Sequence, residues 1–369
     1  MNPNKERHYF LGGNTYQGFH SFYHYIIDKE NANRVICIKG GPGTGKSHLM
    51  KRVAKNFLEK GYLVEFHHCS SDNNSLDGVV VPDLKIALLD GTAPHMVDPI
   101  YPGTVDEILN LGIALDNDSL ALSKKELINI YKEISDNFKK AYRFLASAKP
   151  IHEDWALCNF KALNYSKVIT ITESLKEEVF SKQKSGFGTE RHLFGTAFTP
   201  NGIISFNEDL SSSFKNKFIL NGGPGFSKTV ILNELGRIAQ RKGYFVEYIH
   251  DPFNPERLEN IFIPEISTAI LTENEISNNK FNGKFYNIEN FCDTSILNKY
   301  KKDVEYDKNL FYELINKALF YIENAHKIHD DLESYYIKAL DFSILDNAYN
   351  DLINKLEKYC FSEEVKVNS

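Results

Sequence analysis

The sequence predicts an α/β protein built as two tandem parallel-sheet cores, each with an appended helical hairpin. An internal duplication, a βαβ unit in each copy and a helical tail closing each copy predict it. The duplication is read first, because a missed repeat misassigns the whole fold. The segment GGPGTGKS at 40–47 recurs as GGPGFSKT at 222–229, an offset of 182 residues, and over positions 40–90 15 of 51 residues are identical to their partners. RHYFLGGNTYQGFHSF (7–22) matches RHLFGTAFTPNGIISF (191–206), and IHEDWALCNFKALNYS (151–166) matches IHDDLESYYIKALDFS (328–343). Order is kept throughout, so the boundary falls in the turn-like KSGFG at 184–188 and the domains are expected at 1–184 and 185–369.

In the first copy, residues 35–38 form a short unbroken apolar run before the glycine-rich segment. Such a run suits a strand buried on both faces. Leu49, Met50, Val53, Ala54, Phe57 and Leu58 then mark one face of a helix, which Gly61 ends. Residues 62–66 read as a second strand and 86–89 as a third, a βαβ arrangement that implies a right-handed crossover and a parallel sheet. The remainder of each copy reads as helix. Thr104 with Glu107, and Ser123 with Glu126, have the spacing of a capping box. In the second copy Phe311, Ile315, Ala318, Ile322, Ala325, Leu332, Tyr336 and Ala339 trace a long amphipathic helix on which residues 346–359 fold back. The equivalent helix of the first copy is expected to kink or break at Pro150. Each hairpin could pack on the other or on the opposite core.

Composition narrows the class. Of 369 residues, 42% are hydrophobic and 25% charged, the balance of a globular protein with a real core. A formal net charge of −6 argues against non-specific duplex binding, without excluding a local basic groove for nucleic acid. Cys37, Cys69, Cys158, Cys292 and Cys360 are scattered without a C-x-x-C pair, which points away from a disulfide framework or zinc site and toward a reducing cytoplasm. The start MNPNKERHYF has no apolar signal core, and no apolar run reaches the roughly 18 residues of a membrane helix.

The chemistry concentrates in Gly40, Gly41, Pro42, Gly43, Thr44, Gly45, Lys46 and Ser47, which fit G-x-x-x-x-G-K-[ST] (Walker A) in full. Backbone N–H groups can wrap phosphate oxygens only where no Cβ blocks the approach, hence the glycines. The following helix turns its positive end toward the anion, a place that also includes His48. Lys46 is expected to reach the β- and γ-phosphates of ATP, and Ser47 to ligate Mg²⁺. Asp90 closes the third apolar run and is the expected second Mg²⁺ anchor, although an Asp opening a turn before Gly91 has the same appearance. No acid follows Asp90, so a hydrolytic base must lie elsewhere. His67, His68, Ser70, Ser71, Asp72, His95 and Asp98 fall in loops that face a ligand in parallel sheets, with Asp72 and His95 the leading candidates.

The second loop departs from the pattern. Gly222, Gly225, Lys228 and Thr229 persist, but Ser227 replaces the glycine before the lysine and Thr272 stands in the place of Asp90. The pair of losses points to a vestigial site, with a regulatory nucleotide site as the alternative. Arg7 and Arg191 are matched, and Arg191 could complete the first site across the repeats as an arginine finger. His152 and His329 are matched and read as buried structural histidines; His329 and Glu333 have i, i+4 metal-pair spacing, but Ala156 replaces the Glu in the first copy.

These residues resemble the P-loop NTPase superfamily. The run HHCSSDNNSLDGVVVPDLKIALLDGTAPHMVDPIYPG, with the tandem loops, looks like a little-characterised bacterial family of duplicated P-loop ATPase-like proteins. The resemblance implies ATP at residues 40–47, with Mg²⁺ at Ser47 and Asp90. The leading expectation is an ATPase whose helical hairpins pass movement to a protein partner. A small-molecule or nucleotide kinase, and a binding module ordered by ATP without turnover, are the alternatives.

Overall fold

The computed structural model describes residues 5–93, 97–180, 184 and 186–360. In chain order the first copy forms β1 (Glu6–Phe10), β2 (Gly12–Thr15), β3 (Gly18–Ser21), β4 (Arg34–Lys39), α1 (Lys46–Glu59), β5 (Val64–His68), β6 (Leu76–Val81), β7 (Ile86–Asp90) and β8 (Asp106–Asn110). The helices α2 (Asn117–Leu122), α3 (Lys124–Ala162) and α4 (Tyr165–Val179) follow. The second copy repeats the series as β9 (Glu190–Phe194), β10 (Thr196–Thr199), β11 (Gly202–Ser205), α5 (Asn207–Ser212), β12 (Asn216–Asn221) and α6 (Lys228–Arg241). It continues with β13 (Val246–His250), β14 (Leu258–Ile263), β15 (Thr268–Glu273), β16 (Lys284–Asn287), α7 (Thr294–Lys338) and α8 (Phe342–Leu356). The fold is mixed α/β on mostly parallel sheet.

The chain divides into two compact units that cross the expected boundary between 1–184 and 185–369. One comprises Met1–Leu11, Ser21–Phe138 and Ile322–Ser369; the other comprises Gly12–His20 and Lys139–Tyr321. The physical reason lies in the hairpins. The end of α7 and all of α8 belong to the unit that carries the first glycine-rich loop, and the end of α3 and all of α4 belong to the unit that carries the second.

In the first unit the strand order is β1-β5-β6-β7-β4-β8. β1 and β5, β4 and β7, and β4 and β8 run parallel, whereas β6 is antiparallel to both neighbours. A fully parallel sheet is therefore corrected. Residues 76–81 are a strand of their own, and the turn Pro82–Leu84 with Lys85 at φ 54 reverses the chain into β7. α1 buries Leu49, Met50, Val53, Ala54 and Phe57 on one face, at the spacing its sequence predicts. Leu352, Ile353 and Leu356 of α8 join the same core. Each such side chain removed from water stabilises by about 1.5–3 kcal/mol.

The second unit repeats this order as β9-β13-β14-β15-β12-β16. Val168, Ile171 and Leu175 of α4 pack with Ile231, Leu232 and Leu235 of α6.

Two local expectations are corrected. Thr104 and Glu107 do not cap a helix: Glu107 lies in β8, paired with β4 through Ile36. The buried Asp106 carboxylate organises that segment, accepting from the Ile100 and Tyr101 N–H groups and pairing with Lys29 at 2.8 Å. Pro150 does not break α3, which runs on to Ala162. Ala148, His152 and Trp155 around it are buried, and that packing offsets the roughly 3 kcal/mol cost of an interior proline. α3 does begin directly after Ser123, as the second capping-box spacing predicts. Among the described residues no helix is long and apolar enough to cross a membrane.

Candidate functional site

The first glycine-rich loop joins β4 to α1, so its backbone is delivered at the carboxyl end of a buried strand and at the start of a helix. Gly43 and Gly45 adopt φ of 64° and 81°, the left-handed region that side chains resist. Thr44 is buried and its Oγ1 donates to the Gly41 carbonyl at 2.8 Å, which tightens the turn. Lys46 opens α1 and curls back: its Nζ donates to the Gly41 carbonyl at 2.8 Å and the Gly40 carbonyl at 3.1 Å. The same ammonium lies 3.6 Å from Asp90 Oδ2. Asp90 reaches it because β7 is hydrogen-bonded directly beside β4, with Ile38 opposite Asp90. Thr92 ties this corner together, its N–H donating to Asp90 Oδ1 at 2.8 Å and its Oγ1 to the Gly40 carbonyl at 3.0 Å. Ser47 Oγ accepts from the Leu76 N–H at 3.0 Å, and His48 is exposed on the first turn of α1.

The structure therefore brings Lys46 and Asp90 together and sets Ser47 on the adjoining turn. The other candidates have different neighbours. Asp72 accepts from the Asn74 N–H at 3.1 Å and the Ser75 hydroxyl at 2.5 Å, and faces His326 Nε2 at 3.4 Å. Burial would raise its carboxyl, but these bonds win and hold it down at about 2. A carboxylate so strongly held is a poor proton acceptor near neutral pH. His326 is pushed up to about 9, chiefly by its bond to Asp72.

His67 is fully buried beside Glu65 and stacked on Tyr9, which makes it part of the sheet rather than of the loop. His68 meets the Asn73 carbonyl and His8, each at 2.9 Å, and burial lowers it to about 4. Asp98 pairs with Lys39 at 3.1 Å on an exposed loop. His95 lies outside the described residues. Arg7 and Arg191 each pair with a buried glutamate of their own unit, Glu65 at 3.8 Å and Glu247 at 3.5 Å.

One set of neighbours was missed from the sequence. The end of α7 lies over the loop. Glu333 Oε1 accepts from the Gly43 N–H at 3.1 Å, and a Cβ on Gly41 would come within 2.7 Å of the Tyr336 ring. Tyr336 OH bonds Tyr131 OH at 2.9 Å. The available signal was the contrast at matched positions, Glu333 for Ala156 and Tyr336 for Asn159. His329 Nδ1 stands 3.9 Å from Glu333. Among the described residues no group of three or more His, Cys, Asp or Glu side chains is arranged for a metal ion.

In the other unit, Gly222 and Gly225 have φ of 148° and 84°, and Ser227 takes the left-handed φ of 56° in the place of Gly45. Lys228 donates to the Gly222 carbonyl and, at 3.0 Å, to the Glu273 carbonyl. Thr229 Oγ1 donates to the Leu258 carbonyl at 3.3 Å. Thr272 is turned into the sheet, donating through Oγ1 to the Glu259 carbonyl at 2.7 Å. Burial lowers the Lys228 ammonium against the opposing pull of Glu275, Asp251, Glu259 and Glu273. Glu275 is paired with the buried His152 at 2.6 Å. Asn159 donates to the Pro224 carbonyl at 2.8 Å, and a Cβ on Gly225 would run into the Ala156 carbonyl.

Comparison with known proteins matches residues 19–81, which span β3 to β6 with the first loop and α1, to the family model described as Nephrocystin 3, N-terminal. No curated protein and no solved structure matches the chain. No relative from the narrower bacterial family is among these matches.

Proposed function

We propose that the chain binds ATP with Mg²⁺ at residues 40–47 and hydrolyses it, and that the two units descend from one P-loop nucleotide-binding core. The observation that carries this reading is the convergence of Lys46 and Asp90 on a strand-to-helix loop that turns through the left-handed glycines Gly43 and Gly45. The donor set fits a triphosphate. Left-handed Gly43 and Gly45 carry no Cβ to screen the loop N–H groups, the carboxylate of Glu333 already accepts from the Gly43 N–H as a phosphate oxygen would, and the α1 terminus favours an anion. Ser47 and Asp90 would hold Mg²⁺, which supplies charge neutralisation on the phosphates. Lys46 already lies beside the loop carbonyls and needs only to exchange them for phosphate oxygens. Positioning and charge, rather than a strong base, carry phosphoryl transfer.

The second loop is read as vestigial. Its lysine lies in the field of the acidic side chains of Glu275, Asp251, Glu259 and Glu273, of which Glu275 is held ionised, an environment unfavourable to phosphate. A module ordered by ATP without turnover is the second reading, favoured by Asp72 being engaged with His326. The test compares Mg-ATP binding and phosphate release in wild type, Lys46→Ala and Lys228→Ala. Loss of both in Lys46→Ala alone is expected. Binding without phosphate release would replace the ATPase by the module, and wild type that binds no ATP would end both readings.

A further inference from the structure

The nucleotide reading makes one contact over the first loop stand out. Gly43 N–H is one of the backbone donors that such a loop offers to phosphate, and it is already taken by a carboxylate oxygen, Glu333 Oε1, at 3.1 Å. A carboxylate in a nest of N–H groups uses the same chemistry as a phosphate there. The approach is close. A Cβ on Gly43 would come within 3.1 Å of the Glu333 carbonyl oxygen and within 3.2 Å of Ile337. Tyr336 covers Gly41, and Leu345 of α8 stands 3.5 Å from where a Cβ of Gly45 would be.

The protein holds its own control. The matched hairpin lies over the second loop in the same way, but Ala156 occupies the place of Glu333, and the loop there lacks the glycine before its lysine. The acid is present only over the intact motif. Neither Lys46 nor Asp90 needs Glu333, since they pair with each other at 3.6 Å.

We propose that Glu333 is a built-in competitor for the phosphate cradle, which must leave the Gly43 N–H before a nucleotide phosphate enters. The proposal rests on the reading of residues 40–47 as a nucleotide site. It links occupancy of the loop to the position of the end of α7, which is stitched to the segment before α2 by bonds from Asp116 N–H to the Ala339 carbonyl and from Asp341 N–H to the Ala114 carbonyl. Binding energy is then spent partly on displacing the helix, and a ligand with equal affinity for both positions would move nothing.

The experiment titrates Mg-ATP into the full chain by calorimetry and follows hydrogen exchange of residues 326–341 with and without it. Variants are Glu333→Ala, Glu333→Gln, and Glu323→Gln as a carboxylate of the same helix that pairs with Lys327 instead. Glu333→Ala is expected to tighten ATP about tenfold, with Glu333→Gln between it and wild type and Glu323→Gln unchanged. Exchange in 326–341 should rise with ATP in wild type. The isosteric Gln variant keeps the test intact if the Ala variant folds poorly. Equal affinity in wild type and both Glu333 variants, or weaker binding in them, overturns the competitor role while leaving the nucleotide site standing. Absence of any Lys46-dependent binding in wild type and variants alike instead removes the site on which the proposal rests.

Discussion

The residue before each loop lysine is left-handed in both copies, Gly45 at φ 81° and Ser227 at φ 56°. Exchanging the two residue types therefore makes opposite perturbations at matched sites. For Gly45→Ser, the left-handed conformation costs a residue with a Cβ about 1–2 kcal/mol. Part of that is offset, by about 0.4–1 kcal/mol, because serine leaves the unfolded chain less free than glycine does. No clash adds to it, since the nearest atom to the new Cβ is Leu345 Cδ1 at 3.5 Å. The net expectation is a loss of roughly 1 kcal/mol for Gly45→Ser and a gain of roughly 1 kcal/mol for Ser227→Gly. Thermal melts followed by circular dichroism should show shifts of about 1–2 °C in opposite directions. Shifts of the same sign, or a destabilised Ser227→Gly, would refute the matched left-handed geometry. Ser227→Gly should not restore nucleotide binding at the second loop, because Thr272 and the surrounding acidic side chains remain.

Two further expectations concern pH. The Asp72–His326 pair has a histidine raised to about 9 and an acid lowered to about 2. The histidine contribution is complete below its unfolded value of about 6.5 and is lost as pH rises through about 9; the acid contribution is complete above about 4 and is lost as pH falls through about 2. With both side chains partly exposed, screening leaves the pair worth roughly 1 kcal/mol. Urea melts should show His326→Ala destabilised at pH 6 and near wild type at pH 10; a gap of constant size would sink the assignment. Glu259 is raised to about 7, first by burial and then by Asp251. Its favourable, protonated state is complete below its unfolded value of about 4.5 and is lost as pH rises through about 7. Glu259→Gln keeps an acceptor for Thr196 and Asn274 and should stabilise the chain at pH 8 by on the order of 1–3 kcal/mol, but not at pH 4.5. A destabilised variant at pH 8 would show that the ionised carboxylate is welcome there.

Features encoded within a few residues, or by the repeat, were legible before the fold was known. The glycines of the first loop read correctly as backbone requirements, because only glycine takes φ of 64° and 81° without strain. The apolar run before the loop and the one-sided face after it read as β4 and α1 because burial imposes the period. Asp90 at the end of an apolar run was legible for the same reason, and the offset of 182 residues announced that the second copy repeats the elements of the first, while the strand order of both came only from the structure.

Tertiary structure alone decided the direction of β6, which an apolar run cannot carry: LDGVVV is equally buried whichever way its neighbours run. It also decided which loop each hairpin covers, since an amphipathic stripe specifies that a face is buried but not against what. Glu333 illustrates the limit. On its own helix it is a partly exposed carboxylate near a histidine, and its bond to the Gly43 N–H joins residues 290 positions apart. No local pattern encodes such a contact, because its energy depends on the packing of α7 and α8 against the first core, which forms only when the chain has folded.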